Sequence, residues 1–466
     1  MKNSFLFLLF PFYVSAQNTT TLLETYMQGQ VKVYGFSGNV LLAKNGKIIY
    51  RKSFGYADES AGKKLDDNSV FDCGSITKQF TAMGILILKD RGKLGYKDSL
   101  GKFFPELPYT AVTIQQLLTH TSGMPDGFDL IDKYFDRSKI AHNEDLIRLL
   151  AREKPPLLFE PGTNLMYSGT AYNLLASIIE KVSGKIYNEF IDNEIFKPLG
   201  MSNSLVANFP RKNKNIKGYV NGYSYSDSLK KYEWVDTLKT GWVSYFTGIN
   251  GEGMIIVSAG DLLLWDRALK NHQLLQESTQ REMLSVQAEK TIDPKVIFGY
   301  GVRVGKNDFG EYVFHNGWYP GYISMIIRYV KEDITAIVLS NNQSRSEFIA
   351  DGLVSIAMNR NTTMPYIHKE LSSMIDLAGY RGKYMMPLVR PPYMARFPAE
   401  FVTRNDKLYL HPMRGADIEL KPESATKFFF GDGSDQQLEF QTDNSGKVLN
   451  AWYIGWGVKR EMTRME

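Results

Sequence analysis

The chain has 466 residues, of which 43% are hydrophobic and 23% charged, and its formal net charge is +5 at pH 7. This length exceeds one typical core and predicts two domains, and the composition is that of a globular protein with ample core. The small net charge, without a basic stripe or a zinc-finger spacing, argues against nucleic acid as a partner.

The first 16 residues have the pattern of a secretory signal peptide. Lys2 precedes an apolar run from Phe5 to Val14, and small residues then lead to a cleavage site after Ala16. The run is shorter than the roughly 20 residues that a membrane-spanning helix needs, and no other stretch reaches that length. We therefore expect an exported protein, periplasmic or secreted, without a membrane span.

Two elements are predicted in the segment that follows. Strand-like runs between Ser37 and Ala57 flank the pair Asn45-Gly46, which predicts a β-hairpin with a two-residue turn. The stretch from Phe71 to Gly92 predicts a strand end and then a helix that is apolar on nearly every side. Such a helix should be buried.

Polar residues open this buried helix. Ser75 and Lys78 are three residues apart and share one face of its first turn, which is the geometry of a serine nucleophile beside a lysine. The alternative for Ser75 is an ordinary helix N-cap. Cys73 is the only cysteine, so no intrachain disulfide can form. We interpret it as a small buried hydrophobe. The Ser-x-x-Lys spacing also begins at serines that open no long apolar helix, namely Ser60, Ser99, Ser228 and Ser424.

The chain from Gly92 to Gly200 predicts mostly helix and loop. Within it, Tyr167 and Ser168 lie in a turn just before an amphipathic helix that ends near Gly184. Residues 203–245 are irregular and rich in Lys, Tyr and Ser. We expect them to form surface connections that border a cleft.

Strand patterns return in the next part of the chain. Gly251 to Leu269 predicts a strand followed by a helix. Phe298 to Asn342 predicts three or four antiparallel strands, with His315-Asn316-Gly317 at a strand end. A helix from Phe348 to Met358 follows.

The economical packing of these elements is an α+β fold. One antiparallel sheet is assembled from strands near both ends of residues 17–360, helices flank it, and a helical lobe is inserted. A cleft between this lobe and the sheet edge is the expected ligand site. Residues 361–375 form a polar linker, and residues 376–466 carry the short strand signals of a small all-β, barrel-like domain.

Several catalytic patterns are absent from the sequence. It contains no Gly-x-Ser-x-Gly elbow of the α/β-hydrolases, no His-Glu-x-x-His zinc motif and no Gly-rich phosphate loop. It has six histidines and no Cys/His cluster. We therefore expect neither a metal ion nor a cofactor.

The remaining polar groups resemble those of the serine β-lactamase-like family, which includes class C β-lactamases, DD-peptidases and their esterase and D-aminopeptidase relatives. The resemblance covers residues 20–360 and rests on the order of GSITKQFTA, IQQLLTHTSGMPD, EPGTNLMYSGTAYNLLA, GEGMIIVSAGDLLLWDRAL and HNGWYPGY. It implies that Ser75 is the nucleophile and that Lys78 and Tyr167 share its proton network. It also implies an oxyanion hole formed by the backbone N–H groups of Ser75 and Trp318.

The protonation state of Lys78 decides whether it can act as a base. A lysine accepts the Ser75 proton only when it is neutral, whereas a free lysine titrates near pH ~10.4. We expect burial and the helix N-terminus to lower the pKa of Lys78. We also expect Lys78 and Tyr167 to titrate as a pair.

Two departures from the family pattern bear on the substrate. His315 stands where β-lactamases and DD-peptidases carry a lysine; it would bind a carboxylate when protonated or support the Tyr167 hydroxyl when neutral, and a structural role is the alternative. Gly169 replaces the asparagine whose amide contacts the acylamido chain of a penicillin or peptide. Gly169, Asn316 and Gly317 are the expected substrate-binding positions, and close approach of the substrate would explain Gly317.

Together these features predict an exported serine hydrolase that forms an acyl-enzyme at Ser75. Its small-molecule substrates would be esters, D-amino-acid amides or short peptides. One alternative is a β-lactamase or a DD-carboxypeptidase-type cell-wall enzyme, and a second is a non-catalytic module that binds peptides or wall fragments. The oligomeric state and the role of the β-domain are left open by the sequence.

Overall fold

The computed structural model describes residues 11–207, 216–226, 228–235, 245–290, 296–372, 375–390, 392–412, 416–431 and 434–465. The first ten residues of the predicted signal peptide lie outside these ranges, and parts of the predicted cleft loops at 203–245 do so as well. The leader and its cleavage site stay a prediction. Within the described ranges, no helix has both the length and the hydropathy to cross a membrane.

The helices, numbered in chain order, are α1 (Pro11–Tyr34), α2 (Thr77–Asp90), α3 (Leu100–Phe103), α4 (Ile114–Leu118), α5 (Gly127–Tyr134), α6 (Asn143–Glu153), α7 (Gly169–Ser183), α8 (Tyr187–Ile191), α9 (Lys197–Leu199), α10 (Ala259–Lys270), α11 (Glu277–Met283) and α12 (Ser346–Ala357). The structure also has single turns of 3₁₀ helix at Gly74–Ile76 and Ala378–Tyr380 and a π-helical turn at Asp192–Phe196.

The strands are β1 (Gly38–Lys44), β2 (Lys47–Phe54), β3 (Tyr56–Asp58), β4 (Lys63–Lys64), β5 (Phe71–Asp72), β6 (Ser204–Val206), β7 (Tyr223–Ser226), β8 (Lys231–Trp234), β9 (Ile255–Val257), β10 (Ala288–Lys290), β11 (Val296–Phe298), β12 (Arg303–Asn307), β13 (Gly310–Tyr319), β14 (Tyr322–Tyr329), β15 (Ile334–Ser340), β16 (Gly382–Arg390), β17 (Tyr393–Arg404), β18 (Lys407–Pro412), β19 (Ile418–Pro422), β20 (Lys427–Phe430), β21 (Gln436–Thr442), β22 (Val448–Gly455) and β23 (Val458–Arg464).

The chain divides into two compact units. One is Phe36–Glu347, and the other joins Met1–Gly35 to Phe348–Glu466. The larger unit holds the predicted hydrolase motifs. The domain boundaries proposed from the sequence stay a prediction.

The larger unit is built on one antiparallel sheet of eight strands. Their order is β10-β11-β12-β13-β14-β15-β1-β2, so strands from both ends of the unit meet where β1 pairs with β15. The β1–β2 hairpin turns at Asn45 (φ 51°) and Gly46 (φ 73°), both in the left-handed region that a type I′ turn requires. The predicted hairpin and the predicted sheet assembled from both ends are confirmed.

Helix α2 lies in the core of this unit. Every residue from Thr77 to Leu88 is buried, because the sequence offers no polar face that could be turned to solvent. Helix α7 crosses it closely, and a Cβ at Gly84 would lie 2.8 Å from the Ile179 side chain. The predicted buried helix is confirmed, and its rigid packing fixes the residues of its first turn.

The C-terminal part of the smaller unit is a closed antiparallel barrel of β16 to β23. Its interior is filled by apolar and aromatic side chains that include Tyr384, Phe401 and Phe440. The carboxylate of Asp351 on α12 forms a buried ion pair of 2.9 Å with Arg460 of the barrel. The sheet, its flanking helices and this barrel confirm the predicted fold class, an α+β fold with a small all-β domain.

Candidate active site

Ser75 lies in the 3₁₀ turn that precedes α2, and we call residues 73–76 the Ser75 turn. Gly74 has a positive φ of 52°, and a Cβ there would come within 2.6 to 2.9 Å of the Trp318 backbone. Glycine is therefore required for conformation and for space. The same contact places the backbone of Gly74, one residue before Ser75, against that of Trp318, whose side chain is exposed.

The Ser75 turn is also fixed by the carbonyl and amide groups of Cys73. The Cys73 N–H donates to the carbonyl of Ile255 at 3.0 Å, and the Cys73 carbonyl accepts from the Ser324 hydroxyl at 2.8 Å. A Cβ at Gly317 would lie 1.9 Å from this carbonyl oxygen. The Ser75 turn itself, rather than a substrate, thus accounts for glycine at position 317.

The Cys73 side chain is buried in the core, and its thiol is unreactive. Its thiol is fully buried, and burial raises its pKa to about 12 because the thiolate is disfavoured in an apolar environment. The interpretation of Cys73 as a small buried hydrophobe is confirmed.

The Lys78 side chain is completely buried and directed at Ser75. Its ammonium nitrogen donates to the Ser75 hydroxyl at 3.2 Å, to the Glu252 carbonyl at 2.9 Å and to Glu252 Oε2 at 3.0 Å. It also lies 4.8 Å from the centre of the Tyr167 ring. Ser75 makes no side-chain cap bond to α2, so the alternative of an ordinary N-cap is wrong.

The predicted direction of the Lys78 pKa is wrong. Burial does lower the pKa of Lys78, but the negative charge of Glu252, together with the interaction with Tyr167, outweighs burial and raises it. The resting Lys78 is therefore an ammonium ion held by Glu252. Sequence reasoning missed Glu252, although a single acid between Gly251 and Gly253 at the entrance to a buried strand is an unusual pattern.

Tyr167 precedes α7 and is held by a histidine that sequence reasoning did not single out. The buried ring of His120 stacks against the Tyr167 ring with centroids 4.5 Å apart. His120 Nδ1 accepts a hydrogen bond of 3.1 Å from the Ser168 N–H. Burial and the nearby Lys78 charge hold the pKa of His120 well below its usual range, so the ring is neutral. His120 thus fixes both the ring and the backbone of the Tyr167 turn.

His315 is buried on β13 and points toward the same cluster, with its ring centroid 6.3 Å from that of Tyr167. Its Nδ1 lies 2.6 Å from the carbonyl oxygen of Asn316, so Nδ1 carries the proton and donates it. Burial and the Arg303 charge hold the pKa of His315 well below its usual range. The neutral ring fits support of the Tyr167 hydroxyl better than binding of a carboxylate.

Gly169 begins α7 and faces the acid that sequence reasoning missed. A Cβ at this position would lie 3.3 Å from Glu252 Oε2 and 3.3 Å from the Phe128 ring. A carboxylate therefore borders the place where the family carries an asparagine amide. The half-buried Asn316 lies on β13 next to His315, and its substrate-binding role stays a prediction.

The structure thus gathers Ser75, Lys78, Tyr167 and His315 around one point and adds Glu252. A serine hydroxyl and a lysine ammonium in contact, beside a tyrosine, have the components for nucleophilic attack and proton transfer. Asn316, Gly317 and Trp318 continue along the strand that borders this point.

The chain is similar to several known proteins. Residues 23–357 match the family model described as Beta-lactamase. The chain is 35% identical over 426 residues to penicillin-binding protein 4* of Bacillus subtilis (strain 168), covering 89% of this chain and 92% of that protein.

Solved structures give the same result for the fold. The penicillin-binding protein of Bacillus halodurans has a TM-score of 0.61 and 26% identity, covering 72% of this chain and 98% of that one. The D-amino acid amidase of Ochrobactrum anthropi SV3, complexed with L-phenylalanine amide, has a TM-score of 0.59 and 22% identity, covering 74% of this chain and 97% of that one. The latter similarity concerns the fold.

Proposed function

Because the chain belongs to the beta-lactamase family of serine hydrolases, we propose that it hydrolyses esters, D-amino-acid amides or short peptides through an acyl-enzyme at Ser75. The observation that carries the proposal is the 3.2 Å contact between the Ser75 hydroxyl and the fully buried Lys78 ammonium. Burying a lysine beside a serine has a large desolvation cost. A serine with only a structural role would not need such a neighbour.

The proposed reaction has two halves. The Lys78–Tyr167 pair first loses one proton to solvent. The Ser75 oxygen then attacks the substrate carbonyl carbon while its proton passes to this pair, and the backbone N–H groups of Ser75 and Trp318 stabilise the oxyanion. The leaving group takes up the proton as its bond to the carbonyl carbon breaks. Water then attacks the ester of Ser75 by the same path and releases the acid. A neutral His315 supports the Tyr167 hydroxyl during both transfers.

The similarity to penicillin-binding protein 4* favours a second candidate, acylation of Ser75 by β-lactams or wall peptides. His315 and Gly169 weigh against it, because they replace the lysine and the asparagine of the family pattern at these two positions. The first candidate therefore remains preferred.

Labelling with a fluorophosphonate probe and a fluorescent penicillin tests both candidates. We expect wild type to react with the fluorophosphonate and Ser75→Ala to be spared, and equal labelling of the two would disprove the nucleophile. Turnover of p-nitrophenyl esters, D-amino-acid anilides and nitrocefin by wild type and His315→Lys then ranks the substrate classes. Tight binding of a wall fragment without labelling or turnover would favour a non-catalytic binding protein.

We also propose that residues 1–16 direct export. The support is the charged start, the apolar run and the small residues before Gln17. N-terminal sequencing of protein recovered from the periplasm or the medium should begin at Gln17. A cytosolic protein with an intact N-terminus would contradict export.

A further inference from the structure

The Glu252 carboxylate has one oxygen engaged and one available. Oε2 binds Lys78 at 3.0 Å, whereas Oε1 makes no hydrogen bond with any residue that the structure describes. The Glu252 side chain is 21% exposed and the Lys78 side chain 0%. The Glu252 side chain is thus partly accessible to a ligand, although its Oε2 is held by the buried Lys78.

The position of Glu252 defines which part of a substrate it meets. It borders Gly169, with Oε2 at 3.3 Å from the position of a Cβ there. An asparagine at 169 would present an amide, which both donates and accepts hydrogen bonds, whereas a carboxylate only accepts. An acyl carbonyl oxygen would meet a negative charge with no donor. An ammonium group would instead form a charge-assisted hydrogen bond.

A second carboxylate adds to the negative charge on this side of the site. Asp126 caps α5 through a 2.8 Å bond from the Phe128 N–H. Burial raises the pKa of Asp126, and the negative charges of Asp129 and Glu252 raise it further. This side of the cleft is therefore acidic. Among the residues that the structure describes, the cationic groups recorded beside the cluster are Lys78, already bound by Glu252, and Arg303, which lies over the Tyr167 ring at 5.3 Å from its centre.

We propose that Glu252 selects substrates with a free ammonium group next to the scissile carbonyl and binds that ammonium through Oε1. The substrates are thus amides, esters or short peptides with an unblocked amino group, and N-acylated compounds are poor substrates. This inference rests on the proposed acyl-enzyme at Ser75.

Binding of such a substrate also prepares the base. A substrate ammonium on Oε1 offsets the negative charge that holds the proton on Lys78. The proton then leaves Lys78 more readily, and the neutral amine can accept the proton of Ser75. The substrate's own charge thereby makes the base competent, and an uncharged or acylated compound lacks this effect.

A matched pair of substrates tests the inference. D-phenylalanine p-nitroanilide and its N-acetyl derivative differ only in the charge and acylation of the amino group. Their kcat/KM values are measured at neutral pH for wild type, Glu252→Gln and Asp126→Asn, in which asparagine preserves the helix cap. Protection of Ser75 from the fluorophosphonate by D- and L-phenylalanine amide and by their N-acetyl forms gives a readout that needs no turnover.

We expect wild type to prefer the free amine in both readouts. Glu252→Gln should reduce this preference ten- to hundredfold, which is about 1.4–2.8 kcal/mol, and Asp126→Asn should retain most of it. An equal or reversed preference in wild type would overturn the inference and leave the proposed hydrolase intact. An unchanged preference in Glu252→Gln, or an equal loss in Asp126→Asn, would overturn the assignment to Glu252. Absence of Ser75 labelling in wild type would refute the proposed function itself.

Discussion

Replacing Gly317 by alanine would test how the contact between β13 and the Ser75 turn sets the reaction geometry. An alanine Cβ at 317 would lie 1.9 Å from the Cys73 carbonyl oxygen and 2.5 Å from the Ser324 hydroxyl oxygen. Real Cβ contacts essentially never fall below 3.0 Å, so the strand and the carbonyl must separate by at least 1.1 Å, from 1.9 to 3.0 Å. The 2.8 Å hydrogen bond from Ser324 to Cys73 lies in the path of this movement.

The displacement should affect both rate and stability. Cys73 is two residues before Ser75, and a misplacement of about 1 Å in an active site can cost roughly 100-fold in rate. Overpacking costs about 1–3 kcal/mol, and the loss of one hydrogen bond adds about 1 kcal/mol. We therefore expect Gly317→Ala to react about 100-fold more slowly with the fluorophosphonate and to lose about 2–4 kcal/mol of unfolding free energy.

The measurements are the second-order labelling rate and unfolding in urea. Gly95→Ala is the matched control, because a Cβ at Gly95 meets no atom within 4 Å and its φ is not in the left-handed region. The control should match wild type in both measurements. Labelling of Gly317→Ala within twofold of wild type would refute the argument that this contact sets the geometry of Ser75.

Two pH-dependent predictions concern charged groups in separate units. Glu252→Gln removes the negative charge that raises the pKa of Lys78, whereas the burial that lowers this pKa remains. The acidic limb of the pH–rate profile for ester hydrolysis should therefore move to lower pH. No movement, or a movement to higher pH, would contradict this. Burial lowers the pKa of His368, but Asp435 and Glu423 outweigh it and raise the pKa. The stabilisation by protonated His368 is then complete below about pH 6.5 and lost as the pH rises through the folded-state pKa. Urea unfolding should show this decline in wild type, and a persistent decline in His368→Gln would contradict its origin.

The features that were predictable from the sequence depend on local geometry. Asn45-Gly46 specifies its turn because both residues tolerate a positive φ. Ser75 and Lys78 meet because three residues nearly complete a helical turn. The order of the family motifs supplied what spacing could not, namely that Tyr167 and His315 lie near Ser75. Each of these inferences needed only neighbouring residues or an ordered set of motifs.

The features that were missed depend on contacts between distant segments. Glu252 lies 174 residues from Lys78, and no local pattern indicates that its carboxylate reaches the ammonium. The predicted sign of the Lys78 pKa shift was therefore wrong, since only burial and the helix N-terminus were considered. Likewise, the reason for glycine at 317 is the Cys73 carbonyl, which only the folded sheet brings close. His120 was overlooked because a single histidine in a loop gives no sign of what it will stack against.

The sheet order has a consequence for how the protein folds. Strand β1 pairs with β15, so Val40 lies opposite Val338, and Cys73 is bound by Ser324, 251 residues further on. During synthesis the Ser75 turn therefore waits for the last strands of the sheet to emerge. Folding is also slow because the entropy cost of closing such long loops comes before the contacts that compensate it. We expect the geometry of Ser75, the proposed nucleophile, to be assembled late, so that incomplete chains remain without hydrolytic activity.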